Sequence, residues 1–105
     1  MRRKYGNKPA LIDGYRFDSL GEANRYCQLK NLQRAGFIDD LEVHPRYPLE
    51  VNGIRVCTYI ADFRYFDNKK QQEVIEDFKG VRTRTFVLKK KLMRACLKLE
   101  VEEVR

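Results

Sequence analysis

A chain of 105 residues with 43% hydrophobic side chains, six Phe and six Tyr among them, has the apolar content for one packed domain and no length for a second. Its 22 Lys and Arg outweigh 15 Asp and Glu for a net charge of +7, a balance that suits a polyanion, nucleic acid before others, with an inert solvated surface as the plain alternative. The uncharged apolar stretch Val56–Ala61 is too short to cross a bilayer, and three scattered cysteines (Cys27, Cys57, Cys96) beside one histidine argue against a disulfide framework or structural zinc and for buried, reduced thiols.

Residues 1–10, with Arg2, Arg3, Lys4 and Lys8, read as a basic arm, either a frayed terminus or a DNA contact. They lack the apolar core of a secretory signal, so a cytoplasmic protein is expected. Residues 11–105 read as a single domain. Leu11-Ile12 and Tyr15-Arg16-Phe17 flank Asp13-Gly14, a favoured two-residue hairpin turn. From Ser19 the apolar residues recur at spacings of three and four, which predicts a helix over 19–35 with Cys27 on its apolar side and Gly36 as its C-terminal stop. Leu41-Glu42-Val43 begins a strand that Pro45 and Pro48 confine to an edge or an irregular path. Asn52-Gly53 joins strands 47–51 and 54–66, residues 67–70 form a turn, and Glu73–Lys79 is a further strand. A second helix is predicted over 84–98, capped by Thr83 or Thr85, with Phe86, Leu88, Leu92, Met93, Cys96 and Leu97 facing inward. A last strand covers 99–104. This order predicts an α/β fold, helices packed on a mixed central sheet with an N-terminal β-hairpin.

Strand parity locates candidate chemistry. Alternate residues share a face, so Asp77 and Lys79 point with Ile75, and Glu76 points away with Val74 and Phe78. On the preceding strand Asp62 shares a face with Ile60 and Arg64, while Tyr59, Ala61, Phe63 and Tyr65 form an apolar face. Two carboxylates and an ammonium on neighbouring strands suit phosphodiester hydrolysis. Mg²⁺ takes oxygen ligands and often needs only one or two carboxylates, and Lys79 is placed to act on the water or the phosphate. Taken alone, the D-x-K triplet is more often an ordinary surface ion-pair pattern; its position after a strand bearing Asp62 strengthens the catalytic reading. Glu22 fits a capping box with Ser19. It also shares a helical stripe with Tyr26, Leu29 and Gln33, where a carboxylate beside the core needs a partner such as a metal ion. His44, before Pro45, reads as an edge or loop residue with at most a supporting role.

Phe17-Asp18-Ser19-x-x-Glu22-Ala23-x-Arg25-Tyr26, Arg34-Ala35-Gly36-x-Ile38, Tyr59-x-Ala61-Asp62-Phe63 and Val74-Ile75-Glu76-Asp77-Phe78-Lys79-Gly80 together resemble a family of short phage-associated proteins in the PD-(D/E)XK nuclease superfamily. The resemblance runs from Lys4 to the second helix. It implies a restriction-endonuclease-like αβββαβ core, Mg²⁺ or Mn²⁺ as cofactor, and DNA as substrate, with recombination intermediates among the candidates. It matches Asp62 to the aspartate of the "PD" element, with Ala61 where proline is expected, and Asp77 and Lys79 to the remaining signature. Glu22 matches the acidic residue on the first core helix. The implied catalytic set is Glu22, Asp62, Asp77 and Lys79, with the first three as metal ligands.

Lys8, Arg82, Arg84, Lys91 and Arg94 are the candidate DNA contacts. A solvated helix face is the alternative for the last three. The preferred reading is a metal-dependent DNA endonuclease of phage or prophage type, active as a possible homodimer because cutting two strands needs two sites or two visits. Its rivals are a non-catalytic DNA-binding or recombination accessory protein on the same fold, and an RNA-directed protein.

Overall fold

The computed structural model describes residues 9–78 and 82–104. Its elements are β1 (Ala10–Ile12), β2 (Tyr15–Phe17), α1 (Leu20–Arg34), β3 (Ile38–Val43), β4 (Arg46–Val51), β5 (Ile54–Ile60), β6 (Phe63–Asp67), β7 (Gln72–Phe78), α2 (Arg84–Leu92) and β8 (Val101–Val104). β1 begins at Ala10, inside the stretch expected as an arm; Lys8 and the rest of 1–8 lie outside the described residues.

Both hairpin signals act as expected. Asp13 and Gly14 have φ of 53° and 81°, and Asn52 and Gly53 have 52° and 78°, the pair of positive values that lets a two-residue turn follow the strand twist. Ser19 caps α1 by accepting from the Glu22 amide at 3.1 Å. At the other end the Gly36 amide donates to the Gln33 carbonyl and the Phe37 amide to the Leu32 carbonyl, closing the helix with a Schellman motif.

The central sheet has the order β3-β6-β7-β8, antiparallel except for the parallel pair β7-β8. α2 makes the crossover that a parallel pair requires. α1 covers one face, where Phe17, Tyr26, Leu29, Phe63, Tyr65 and Val74 pack together. The other face holds Leu49, Tyr59, Ile75, Phe86, Met93 and Val101, beneath β4, β5 and α2. The molecule is thus α/β, with mixed and antiparallel sheets and two helices.

Five expectations are corrected. The strand expected over 54–66 is two strands, because the backbone changes partners at Ala61-Asp62. The Ala61 amide donates to the Pro45 carbonyl, whereas the Asp62 amide donates to the Glu76 carbonyl and the Asp62 carbonyl accepts from His44. As a result β4 and β5 form their own two-stranded sheet, and the aromatics expected on one face divide, Tyr59 to one core and Phe63 and Tyr65 to the other. The second helix ends as α at Leu92 and continues as a π-helical turn over Met93–Leu97, stopped by Lys98 at φ 57°. Leu88 and Leu97 are exposed, not inward. Cys27 is exposed, and Cys57 and Cys96 are half-buried, since the buried stripe of α1 passes through Glu22, Ala23, Tyr26 and Leu29 and leaves Cys27 to the side.

Candidate functional site

The break at Ala61-Asp62 places a carboxylate where three elements meet. Asp62, directly before β6, turns its Oδ2 to the Phe78 amide at 2.6 Å, at the end of β7. Its carboxyl is also in hydrogen-bonding contact with that of Asp77. Asp77 is only 2% exposed and accepts from the Tyr59 hydroxyl. Strand parity holds on β7: Asp77 faces the side of Ile75, and Glu76 the side of Val74 under α1.

Glu22 enters from the first turn of α1. With its backbone amide taken by Ser19, its carboxylate meets His44, Oε1 to Nε2 at 3.1 Å. Three donor atoms, one each from Glu22, His44 and Asp62, lie within 4.8 Å of one another. The structure sets Glu22 and His44 beside Asp62 and Asp62 against Asp77, while Glu22 and Asp77 interact through their charges. Lys79 lies outside the described residues.

His44 is the loop residue that the sequence predicts, in the bend between β3 and β4, and the structure sets its ring beside Glu22. Its backbone is left-handed, φ 54°, and its amide donates to the Asp62 carbonyl at 2.9 Å. The turn carries the chain out of β3 and aims the ring at Glu22. A lone histidine ahead of a proline was the only available signal, and it does not reveal a positive φ.

Electrostatically the site is a set of carboxyls held in poor contact with water. Burial raises the Asp62 pKa well above the ordinary carboxylate range, and the adjacent Asp77 charge adds to it. Burial also raises Glu22, against the opposing influence of His44. Crowded carboxyls of this kind either share protons or take up a cation. The donor set fits a divalent ion, because carboxylate oxygens and an imidazole nitrogen converge from separate elements.

A second ion-pair network fixes the helix that carries Glu22. Arg25, one turn further along α1, grips Glu76 with Nε to Oε1 at 2.8 Å and Nη2 to Oε2 at 2.6 Å. The Tyr65 hydroxyl donates to the same carboxylate. Glu76 is 1% exposed, so this bidentate pair locks α1 to β7 beside Asp77. The Glu76 hydrogen bonds in turn raise the Arg25 pKa.

A cleft of about 260 Å³ opens beside Asp77, lined by Thr58, Tyr59, Thr83, Phe86 and Lys89 among others. The expected DNA contacts that fall among the described residues, Arg82, Arg84, Lys91 and Arg94, lie in or next to α2 and the π-helical turn that follows it. Arg84 and Lys91 are exposed and, with Arg82 and Leu88, line a neighbouring groove of about 330 Å³. Two of the expected contacts are engaged within the chain. Arg82 pairs with Glu103 at 2.9 Å, and Arg94 with Glu100 at 3.1 Å.

A family model described as "Protein of unknown function (DUF1064)" matches residues 2–103. The chain belongs to that family. No curated protein and no solved structure matches it. Within this DUF1064 chain, no described helix is long and apolar enough to cross a membrane.

Proposed function

We propose that the protein is a metal-dependent DNA endonuclease with a restriction-endonuclease-like core, related to phage proteins of the PD-(D/E)XK superfamily and working in the cytoplasm. One observation carries the reading: Glu22, Asp62 and Asp77 come from a helix, a strand break and a strand end, yet Asp62 meets both of the others, within 4.8 Å of Glu22 and against the Asp77 carboxyl, and Asp77 borders a polar cleft. The succession α1, β3, β6, β7, α2, β8 around a mixed sheet supports it, as does the net charge of +7.

In this reading Asp62 and Glu22 hold Mg²⁺ or Mn²⁺, with Asp77 completing the acidic side. The ion supplies positive charge at the phosphate and an acidified water. Asp77 is kept in place by Tyr59, and Asp62 by the Phe78 amide, so neither must reorganise when substrate arrives. Lys79, two positions after Asp77 in sequence, acts on the attacking water or the phosphate. Arg84 and Lys91 hold flanking phosphates. A homodimer supplies the second site for cutting both strands of a duplex.

The test is incubation with branched, supercoiled and single-stranded DNA, in Mg²⁺, in Mn²⁺ and in EDTA. Cleavage that needs the cation, and that Asp77→Asn abolishes while DNA affinity persists, is the expected result. Absence of cleavage on every substrate at high protein concentration overturns the reading and leaves a DNA-binding accessory protein.

A further inference from the structure

We infer that His44 is a direct nitrogen ligand of the cation and that the site selects Mn²⁺ over Mg²⁺. The inference rests on the metal-site reading above and adds the identity of the ion. Three features of the structure lead to it. The first is distance. Ligands adjacent on an octahedral ion at 2.0–2.1 Å stand about 3.0 Å apart, and His44 Nε2 is 3.1 Å from Glu22 Oε1. One Asp62 oxygen lies within 4.8 Å of both, a bound close to the roughly 4.2 Å that separates opposite ligands of such an ion.

The second is placement of the ring. The His44 amide is bonded to the Asp62 carbonyl, so the histidine backbone and the Asp62 ligand move as one piece. The ring also rests against Phe17, centroids 5.7 Å apart. A histidine left free to swing would be a poor ligand; this one is held by backbone and by core. Its left-handed φ of 54° is a conformation that histidine adopts more readily than most residues.

The third is chemistry. Mg²⁺ is a hard ion that binds oxygen and gives up water reluctantly, so a site of one imidazole and two carboxylates forfeits part of its affinity. Mn²⁺ has the same charge, follows Mg²⁺ in its liking for carboxylates and accepts imidazole more readily. Among the described residues the ring's polar contact is with Glu22, so the rival role is a hydrogen bond that merely orients Glu22.

The experiment uses the whole protein without DNA. MnCl₂ and MgCl₂ are titrated while thermal unfolding is followed, on wild type and on His44→Asn. Asparagine keeps the left-handed backbone but removes the nitrogen ligand and shortens the reach. The wild type is expected to respond to Mn²⁺ at a concentration about tenfold or more below that for Mg²⁺, the scale on which changes at a metal site move affinity. In His44→Asn the two midpoints should converge. Electron-spin-echo spectra of the Mn²⁺-loaded wild type should show modulation from a directly bound imidazole nitrogen, lost in the variant.

Equal midpoints in the wild type, a preference that survives in His44→Asn, no response to either cation, or a spectrum without nitrogen coupling each overturns the inference. Should His44→Asn fail to fold, the wild-type spectrum decides alone. Cleavage is not read here. A protein that prefers Mn²⁺ through His44 but cuts no DNA keeps this inference and loses the nuclease reading; one that cuts DNA without the preference does the reverse.

Discussion

Glu76 and Asp77 are neighbours in the chain with opposite duties. Glu76 is a buried carboxylate whose charge is matched by Arg25 and whose second oxygen is also served by Tyr65. Removing one partner of such a pair leaves an unpaired charge in the interior, which costs far more than the pair contributes over a hydrophobic substitute. Arg25→Ala should therefore lower stability by about 3 kcal/mol in denaturant titration; a loss below about 1 kcal/mol, the size of an exposed pair, would show that Glu76 finds water instead. Asp62 makes a different prediction, in pH. Its carboxyl holds a proton in the folded protein over a range where the unfolded chain has released it, so the metal-free fold is favoured below the ordinary carboxyl pKa and loses that advantage as pH rises through the raised value. Glu22 shifts in the same direction. Thermal unfolding in EDTA should thus show the midpoint falling as pH rises from about 4, and a divalent cation should offset the fall at neutral pH. A flat or rising profile in EDTA would mean the carboxyls are already neutralised by something else.

Between α1 and β7 the spacing is set by Gly21. A Cβ there would lie 2.5 Å from Cζ of the Phe78 ring. Alanine is the better helix former by about 1 kcal/mol, but a contact that short forces the ring or the helix to move, and overpacking of this kind costs about 1–3 kcal/mol. Gly21→Ala should consequently give no gain in stability and a net loss of about 1 kcal/mol, with the cation midpoint raised because Glu22 is the next residue on the displaced turn. A more stable variant with unchanged cation response would show that Phe78 yields freely. The strand break at Ala61-Asp62 is the other device of this kind. It moves one hairpin out of the central sheet and, by the same step, frees the Asp62 side chain for the site.

Across the molecule, charge is not spread evenly by role. Arg25, Arg64, Arg82 and Lys90 are engaged with carboxylates of the fold, while Arg84 and Lys91 line an exposed groove. Binding through phosphate contacts weakens with salt in proportion to the number of contacts. Arg84→Ala and Lys91→Ala should each lower DNA affinity and reduce the salt slope by about one. Arg82→Ala should do less, since its guanidinium is already paired with Glu103. Equal effects from all three would show that the ion pair opens on DNA.

The local order of the chain could be read before any coordinates. Turn chemistry at Asp13-Gly14 and Asn52-Gly53, the Ser19 cap and the period of α1 depend on near neighbours, and alternation along β7 correctly sent Asp77 and Glu76 to opposite faces. Parity works there because the strand is unbroken. It failed across Ala61-Asp62, where the change of backbone partner depends on Pro45, Glu76 and His44, residues distant in the chain. The convergence of Glu22, Asp62 and Asp77 could be anticipated only as a possibility, because register between strands is a property of the packed sheet. For His44 the sequence indicates a loop residue with at most a supporting role, but not which side chains it meets. Its place in the site comes from one left-handed residue at the end of β3, and that backbone angle is set by contacts the fold makes and no local pattern encodes.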